Sequence, residues 1–339
     1  MEINRRQLIY SAATLAAGAS LTACSDSEYT VSIDTRWPTS SFGADSTGEE
    51  VTAGLDLAGK VAVVTGCNSG LGYETMRVLA LRGAHVIGTG RTIEKATAAC
   101  ASVSGKTTPL ALELSDFQST VDCAESIAAL ELAPDILVLN AGINTFGELE
   151  LVNGIEKIFT VNFLGHFILT NRLLPLMQTK NNGRIVHVSS RSGYGQAPAV
   201  GIDFDNLRGE KSFDAGQAYG RSKLANALFS LELAQRLQGT GLSSNAIHPG
   251  LLQTNIARTA PVLMRSAFEW FGVVIAKSPA QGAATQLYVA TSPQLEGVSG
   301  AYFEDCNPVV ISGQNHMTDS AMAKKLWATA QSMCGQYLI

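Results

Sequence analysis

The hydrophobic pattern divides the chain in three. Residues 1–7 are polar and doubly basic, and an apolar run rich in Ala and Ser follows from Leu8 to Ala23. Over residues 25–54 Ser, Thr, Asp, Glu and Gly dominate and no periodicity is sustained. That composition predicts a flexible tether, with Trp37 and Phe42 able to dock on a body. From Leu55 the pattern changes: short β-branched runs alternate with longer amphipathic stretches. Strands are predicted over 61–65, 85–89, 109–114, 135–139, 184–189, 242–247 and 301–303, and helices over 71–82, 151–179, 216–239 and 279–291. Such alternation implies right-handed crossovers and a doubly wound parallel α/β sheet. The expected body is one domain over residues 55–339, with seven strands and helices on both faces.

Composition supports a globular enzyme. Of 339 residues 46% are hydrophobic, 16% charged and 32 are Gly, which excludes a disordered or fibrous chain. The net charge is −5 and no Lys/Arg block is present, so nucleic acid is not an expected partner. Six cysteines, at 24, 67, 100, 123, 306 and 334, show no Cys-x-x-Cys or Cys/His spacing. No metal site and no disulfide framework is expected from them.

Arg5-Arg6, the apolar run and Leu21-Thr22-Ala23-Cys24 stand in the order of an export signal. The arginine pair resembles a twin-arginine (Tat) signal. The tetrapeptide resembles a bacterial lipobox, in which the cysteine becomes the lipidated first residue. The resemblance implies that residues 1–24 are an address. It implies a bacterial, exported protein anchored to the membrane through Cys24 and facing the periplasm, or a cytoplasmic one if the signal is not used.

After the first predicted strand of the body comes Thr65-Gly66-Cys67-Asn68-Ser69-Gly70-Leu71-Gly72, then a helix. Glycines allow a tight turn and let backbone N–H groups approach a pyrophosphate, beside the positive end of the helix. Asn140-Ala141-Gly142 follows the fourth strand, Tyr219-x-x-x-Lys223 lies on a helix, and Pro249-Gly250 follows the sixth strand. These four motifs, in this order, resemble the short-chain dehydrogenases/reductases and cover nearly the whole body. The resemblance implies a Rossmann-type fold and a nicotinamide dinucleotide. It places Gly66, Asn68, Ser69, Gly70, Leu71, Gly72, Asn140, Ala141, Gly142, Tyr219, Lys223, Pro249, Gly250 and Thr254 around the cofactor. The second strand leads into Thr89-Gly90-Arg91, with no acidic residue for the ribose hydroxyls of NAD. Arg91 can pair with a 2′-phosphate, which favours NADP over NAD; the alternative is a solvated loop cation. Glu113-Leu114 stands where the family usually has Asp-Leu against the adenine.

Moving a proton at an alcohol or carbonyl oxygen needs an acid/base, and free tyrosine, with a pKa of about 10, is protonated at neutral pH and cannot serve as the base. Tyr219 and Lys223 at i and i+4 share one helix face, where a nearby ammonium favours the phenolate. The resemblance assigns Tyr219 as general acid/base, Lys223 as its modulator and ribose ligand, and Asn162 as the holder of a water relay. It selects Ser190 to polarise the substrate oxygen, with Ser189 and Ser192 as alternatives.

The insert between Ser190 and Tyr219, the string Val161-Asn162-Phe163-Leu164-Gly165-His166, and Ser222-Lys223-Leu224-Ala225-Asn226 resemble the retinol-dehydrogenase-like branch, which includes relatives of protochlorophyllide reductase. That implies a small lipophilic alcohol, aldehyde or ketone. Residues 256–276, with Val262, Leu263, Met264, Phe268, Trp270 and Phe271, suit an apolar lid or a packing helix. A homo-oligomer through the two long helices follows from the resemblance alone. Two other functions fit an exported chain: a closed-cycle epimerase or isomerase with tightly held NADP, and a non-catalytic nucleotide-binding sensor.

Overall fold

The computed structural model describes residues 29–145, 147–180, 182–251 and 276–338. Its strands are β1 (Thr30–Ile33), β2 (Val61–Val64), β3 (His85–Gly90), β4 (Thr107–Ala111), β5 (Ile136–Leu139), β6 (Leu151–Val152), β7 (Ile155–Glu156), β8 (Arg184–Val188), β9 (Ser243–His248), β10 (Tyr302–Glu304) and β11 (Asn307–Ser312). Nine of them form one sheet, in the order β1-β11-β10-β9-β8-β5-β2-β3-β4. The seven from β10 to β4 are parallel. β2, β5 and β8 are buried throughout, as central parallel strands covered on both faces must be.

Helices Gly70–Leu81, Ile93–Ala101 and Ala284–Thr291 pack on one face of the sheet, around Met76, Leu79, Leu287 and Tyr288. Helices Phe117–Ala129, Gly165–Met177, Ala215–Arg236 and Ser320–Cys334 cover the other, where Phe163, Phe167, Phe229 and Trp327 stack on one another. Several helices begin on an aspartate that accepts from the first-turn N–H groups: Asp116, Asp214 and Asp319.

The structure departs from the sequence expectation in four places. The sheet has nine strands rather than seven, because β11 and β1 extend it antiparallel beyond β10. The added hairpin turns on Asp305 and Cys306, both left-handed at φ 49° and 62°, the backbone a two-residue turn demands. Part of the expected tether belongs to the body: Thr30–Ile33 pairs with Val309–Ser312, Gly48–Val51 is a helix turn, and Trp37 and Phe42 pack on the core. The helix expected over 151–179 starts later. Asn153-Gly154, at φ 54° and 72°, closes the small β6–β7 hairpin, and the helical run begins at Lys157. The helix expected over 279–291 is two, Pro279–Gly282 and Ala284–Thr291.

Three buried histidines set a pH dependence of stability. Burial holds His166 down to about 4, and His187 and His248 to about 3. An unfolded histidine titrates near 6.5. Below that value the unfolded chain binds protons that the folded chain refuses. Stability present above pH 6.5 is therefore lost as the pH falls towards the folded values. The slope reaches about 1.4 kcal/mol per pH unit for each histidine. Urea denaturation across this range measures it. His187→Gln keeps a partner for Ser244 Oγ, which His187 Nε2 meets at 2.9 Å, and should lower the slope by one proton. An unchanged slope removes His187 from the account.

Candidate active site

The parallel strands all end on one side of the sheet. Between β2 and β5 the winding reverses, which opens a crevice beyond their carboxyl ends. The candidate residues gather there. Thr65, just after β2, accepts from Asn140 N–H and Ala141 N–H through Oγ1, each at 2.9 Å. Asn140 Nδ2 donates back to the Thr65 carbonyl oxygen at 2.9 Å. Gly72 runs so close beneath that a Cβ there would strike the Gly66 carbonyl and Asn140 Nδ2. Only glycine fits that approach.

Ser69 is the N-cap of helix Gly70–Leu81, yet its hydroxyl caps no N–H group. Asn68 and Ser69 are exposed, Gly70 and Leu71 half-buried, and the space beside Gly70 is open. Uncapped N–H groups at a helix start attract an anion. The turn thus fits the pyrophosphate of a dinucleotide: tight beneath, open above and positively polarised.

Tyr219 and Lys223 sit one turn apart on helix Ala215–Arg236. Lys223 Nζ lies 5.7 Å from the centre of the Tyr219 ring and donates to the Val188 carbonyl at 3.0 Å. Of the three candidate serines, Ser190 is the one that hydrogen-bonds Tyr219. Ser189 Oγ is buried and donates to the Lys223 carbonyl at 2.7 Å, while Ser192 opens the short helix Ser192–Gly195. Asn162 Oδ1 accepts from Ile143 N–H at 2.8 Å, and its Nδ2 donates to the Ile143 carbonyl and to Ser222 Oγ, both at 2.9 Å. A Cβ on Gly142 would lie 3.2 Å from Asn162 Oδ1 and 3.5 Å from Lys223 Nζ, so the Asn140–Gly142 loop passes directly beside both.

Burial dominates the site's electrostatics. It pushes Tyr219 up to about 12, against the opposing hydrogen bond from Ser190. It brings Lys223 down to about 8. In the protein alone, desolvation outweighs the other influences on the tyrosine.

Several contributors escaped the sequence reading. Asn162 lies in a π-helical turn, Thr160–Leu164, where Gly165 N–H reaches back to the Thr160 carbonyl. His166 spans from Thr65 Oγ1 at 3.0 Å to the Asn162 carbonyl at 3.2 Å. Thr65 Oγ1 already accepts twice, so it donates to His166 Nε2, and Nδ1–H then donates to Asn162. Beside Ser190, Arg191 pairs with buried Glu304 at 2.7 Å, and Glu304 accepts from Tyr194 Oη at 2.8 Å. The string around Asn162 was the one sequence signal for His166; nothing in the pattern announced the π turn or the Arg191–Glu304 pair.

The other candidates line the crevice or leave it. Arg91 follows β3 and is exposed. Glu113 turns its carboxylate to Ser115, accepting from N–H at 3.0 Å and Oγ at 2.7 Å, and Leu114 joins the core. Pro249 and Gly250 follow β9, where Gly250 packs against Lys277, itself paired with Asp305 at 2.6 Å. Thr254, residues 256–275 of the expected lid and Cys24 lie outside the described residues.

Comparison with known proteins agrees with this geometry. Residues 60–202 match the family model "short chain dehydrogenase". Human retinol dehydrogenase 14 is 37% identical over 82% of this chain and 87% of its own length. The chloroplastic short-chain dehydrogenase TIC 32 B of Brassica napus is 38% identical over 85% and 92%. Among solved structures, a Mycobacterium paratuberculosis protein of unassigned function superposes with a TM-score of 0.67 at 31% identity, over 84% of this chain and 97% of that one. A structure described as an NAD(P)-dependent gluconate 5-dehydrogenase from Beutenbergia cavernae, with NADP bound at low occupancy, gives 0.59 at 26% identity, over 73% and 95%. With the dinucleotide turn at the switch point and Tyr219 and Lys223 beside it, the chain belongs to the short-chain dehydrogenase family and is an NAD(P)-dependent oxidoreductase.

Proposed function

We propose that the protein interconverts a small lipophilic alcohol and its aldehyde or ketone, with NADP(H) as the preferred cofactor. The observation that carries the reading is the convergence of Ser190, Tyr219, Lys223 and Asn162 beside the dinucleotide turn. The lipophilic substrate is supported by the likeness to retinol dehydrogenases 11, 12 and 14. The apolar residues of the 256–276 segment suit the same substrate.

When bound, the nicotinamide cofactor supplies or accepts the hydride. Ser190 Oγ–H orients and polarises the substrate oxygen. Tyr219, protonated in the protein alone, donates its proton to that oxygen during reduction and removes it during oxidation. Lys223 keeps its proton at neutral pH and favours the phenolate whenever Tyr219 gives its proton up. Asn162 holds the Ile143 backbone and Ser222 in place around the lysine.

Tyr219→Phe removes only the hydroxyl. Turnover should fall by about 10²–10⁴ while dinucleotide affinity stays close to native. Steady-state assays on long-chain and retinoid alcohols and aldehydes, with fluorescence titration of NADPH, read both quantities; near-native turnover would exclude Tyr219 as the acid/base.

For the cofactor, Arg91 is the exposed cation just beyond β3. Arg91→Ala should raise the KM for NADPH about tenfold, the loss of one charge-assisted phosphate contact. The KM for NADH should hardly move. Equal effects on both cofactors would leave the 2′-phosphate without this ligand.

We also infer export and lipidation at Cys24, from the order of Arg5-Arg6, the apolar run and Leu21-Thr22-Ala23-Cys24. Intact-mass analysis of protein extracted from membranes should give a chain beginning at a lipidated Cys24. A soluble chain retaining residues 1–23 would refute this.

A further inference from the structure

Three sulfur atoms meet beneath the dinucleotide turn. A Cβ on Gly88, in the middle of β3, would lie 2.7 Å from Met76 Sδ, 2.8 Å from Cys67 Sγ and 3.0 Å from Cys100 Sγ. No side chain fits there, and the glycine leaves a pocket that the sulfurs fill. The two cysteine sulfurs face the same point above Gly88, and Cys100 Sγ reaches Met76 Sδ at 3.7 Å. Both cysteines are free and buried.

The two thiols come from different parts of the cofactor-binding half. Cys67 lies inside the turn, between Gly66 and the exposed Asn68, and its N–H donates to the Thr89 carbonyl at 2.8 Å. Cys100 lies at the end of helix Ile93–Ala101. The neighbouring Cys67 thiol, with Thr107 and Gly88 N–H beside it, holds Cys100 below the usual thiol range in spite of its burial.

We propose that Cys67 and Cys100 are a modification site: they form a reversible intramolecular disulfide that weakens dinucleotide binding at the turn. In that step the Cys100 thiolate becomes bonded to Cys67 sulfur, both S–H bonds are lost, and two electrons and two protons leave. A disulfide-class oxidant takes them up as two thiols; with diamide they reduce its N=N bond to the hydrazine. The product needs an S–S distance of about 2.05 Å, shorter than the contact of two thiols, so the turn that carries Cys67 and the end of helix Ile93–Ala101 must draw together. Gly66 and Gly72 approach so closely that a Cβ on Gly72 would strike the Gly66 carbonyl oxygen, so a displacement of Cys67 strains the turn. A dinucleotide held at the exposed Asn68 and Ser69 would oppose the same movement. The consequence for affinity rests on the dinucleotide reading of the turn; the cross-link itself rests on the sulfur geometry alone.

The test uses the full chain, reduced and freed of nucleotide, then treated with diamide and mapped by peptide mass spectrometry. The expected result is a Cys67–Cys100 cross-link and a loss of two free thiols. NADP affinity, read by calorimetry, should fall by at least about tenfold and return with dithiothreitol. NADP added first should slow the cross-link. Cys100→Ser and Cys100→Ala should bind NADP like the native chain and be insensitive to diamide. Thiols that stay free, a different pairing, or a Cys67–Cys100 link that leaves affinity unchanged would each overturn the proposal. A reduced chain that binds no dinucleotide at all strikes the cofactor reading as well, whereas a missing cross-link strikes this proposal alone.

Discussion

Thr65 Oγ1 receives two backbone N–H groups from the loop after β5 and gives its own proton to His166 on the neighbouring helix. The site hangs from that atom. Its acceptor side fixes Asn140 and Ala141, which brings Gly142 against Asn162 and Lys223. Its donor side reaches, through His166, the Asn162 carbonyl in the π turn. The phosphate end and the proton-transfer end of the crevice therefore share one buried hydrogen-bonded hub. Such a hub is costly to leave half-satisfied in a low-dielectric interior, so it tends to hold one arrangement. His166 suits this place because burial keeps it neutral, with one nitrogen as acceptor and the other as donor.

The same burial creates the chemical tension of the site. Desolvation raises Tyr219 and lowers Lys223, drawing both towards their uncharged forms. Burial thus keeps the Tyr219 phenol protonated in the protein alone.

How much of this was legible depended on the kind of signal. The parallel strands were readable from β-branched runs, and the turn from glycines between strand and helix. Tyr219 with Lys223 was readable because the i, i+4 spacing is itself geometric. The β6–β7 hairpin carried a local signal, Asn153-Gly154, but the apolar periodicity over 151–179 outweighed it. The edge strands β1 and β11 carried less. β1 is exposed at all four positions, so it shows no alternation of a buried face. Its place comes from hydrogen bonds to β11, which lies 276 or more residues away in sequence at every pair. The π turn left no trace, since it changes the hydrogen-bond register without changing residue type. The role of Lys223 was half legible: spacing supplied the proximity, but its effect on Tyr219 depends on burial, which spacing does not report.

The position of β1 also reshapes the reading of the N-terminus. A tether over 25–54 would let the enzyme drift from an anchor at Cys24. With the sheet beginning at Thr30, only residues 25–29 separate them, about 17 Å at full extension. Tyr29 packs edge-on against Tyr194 at 4.8 Å, and Tyr194 reaches Glu304, which holds Arg191 beside Ser190. The first described residue thus rests on the wall of the active site. Lipid on Cys24, as proposed, would keep that wall close to the bilayer, with the side chains of Tyr29, Val31 and Ile33 exposed on the intervening strand.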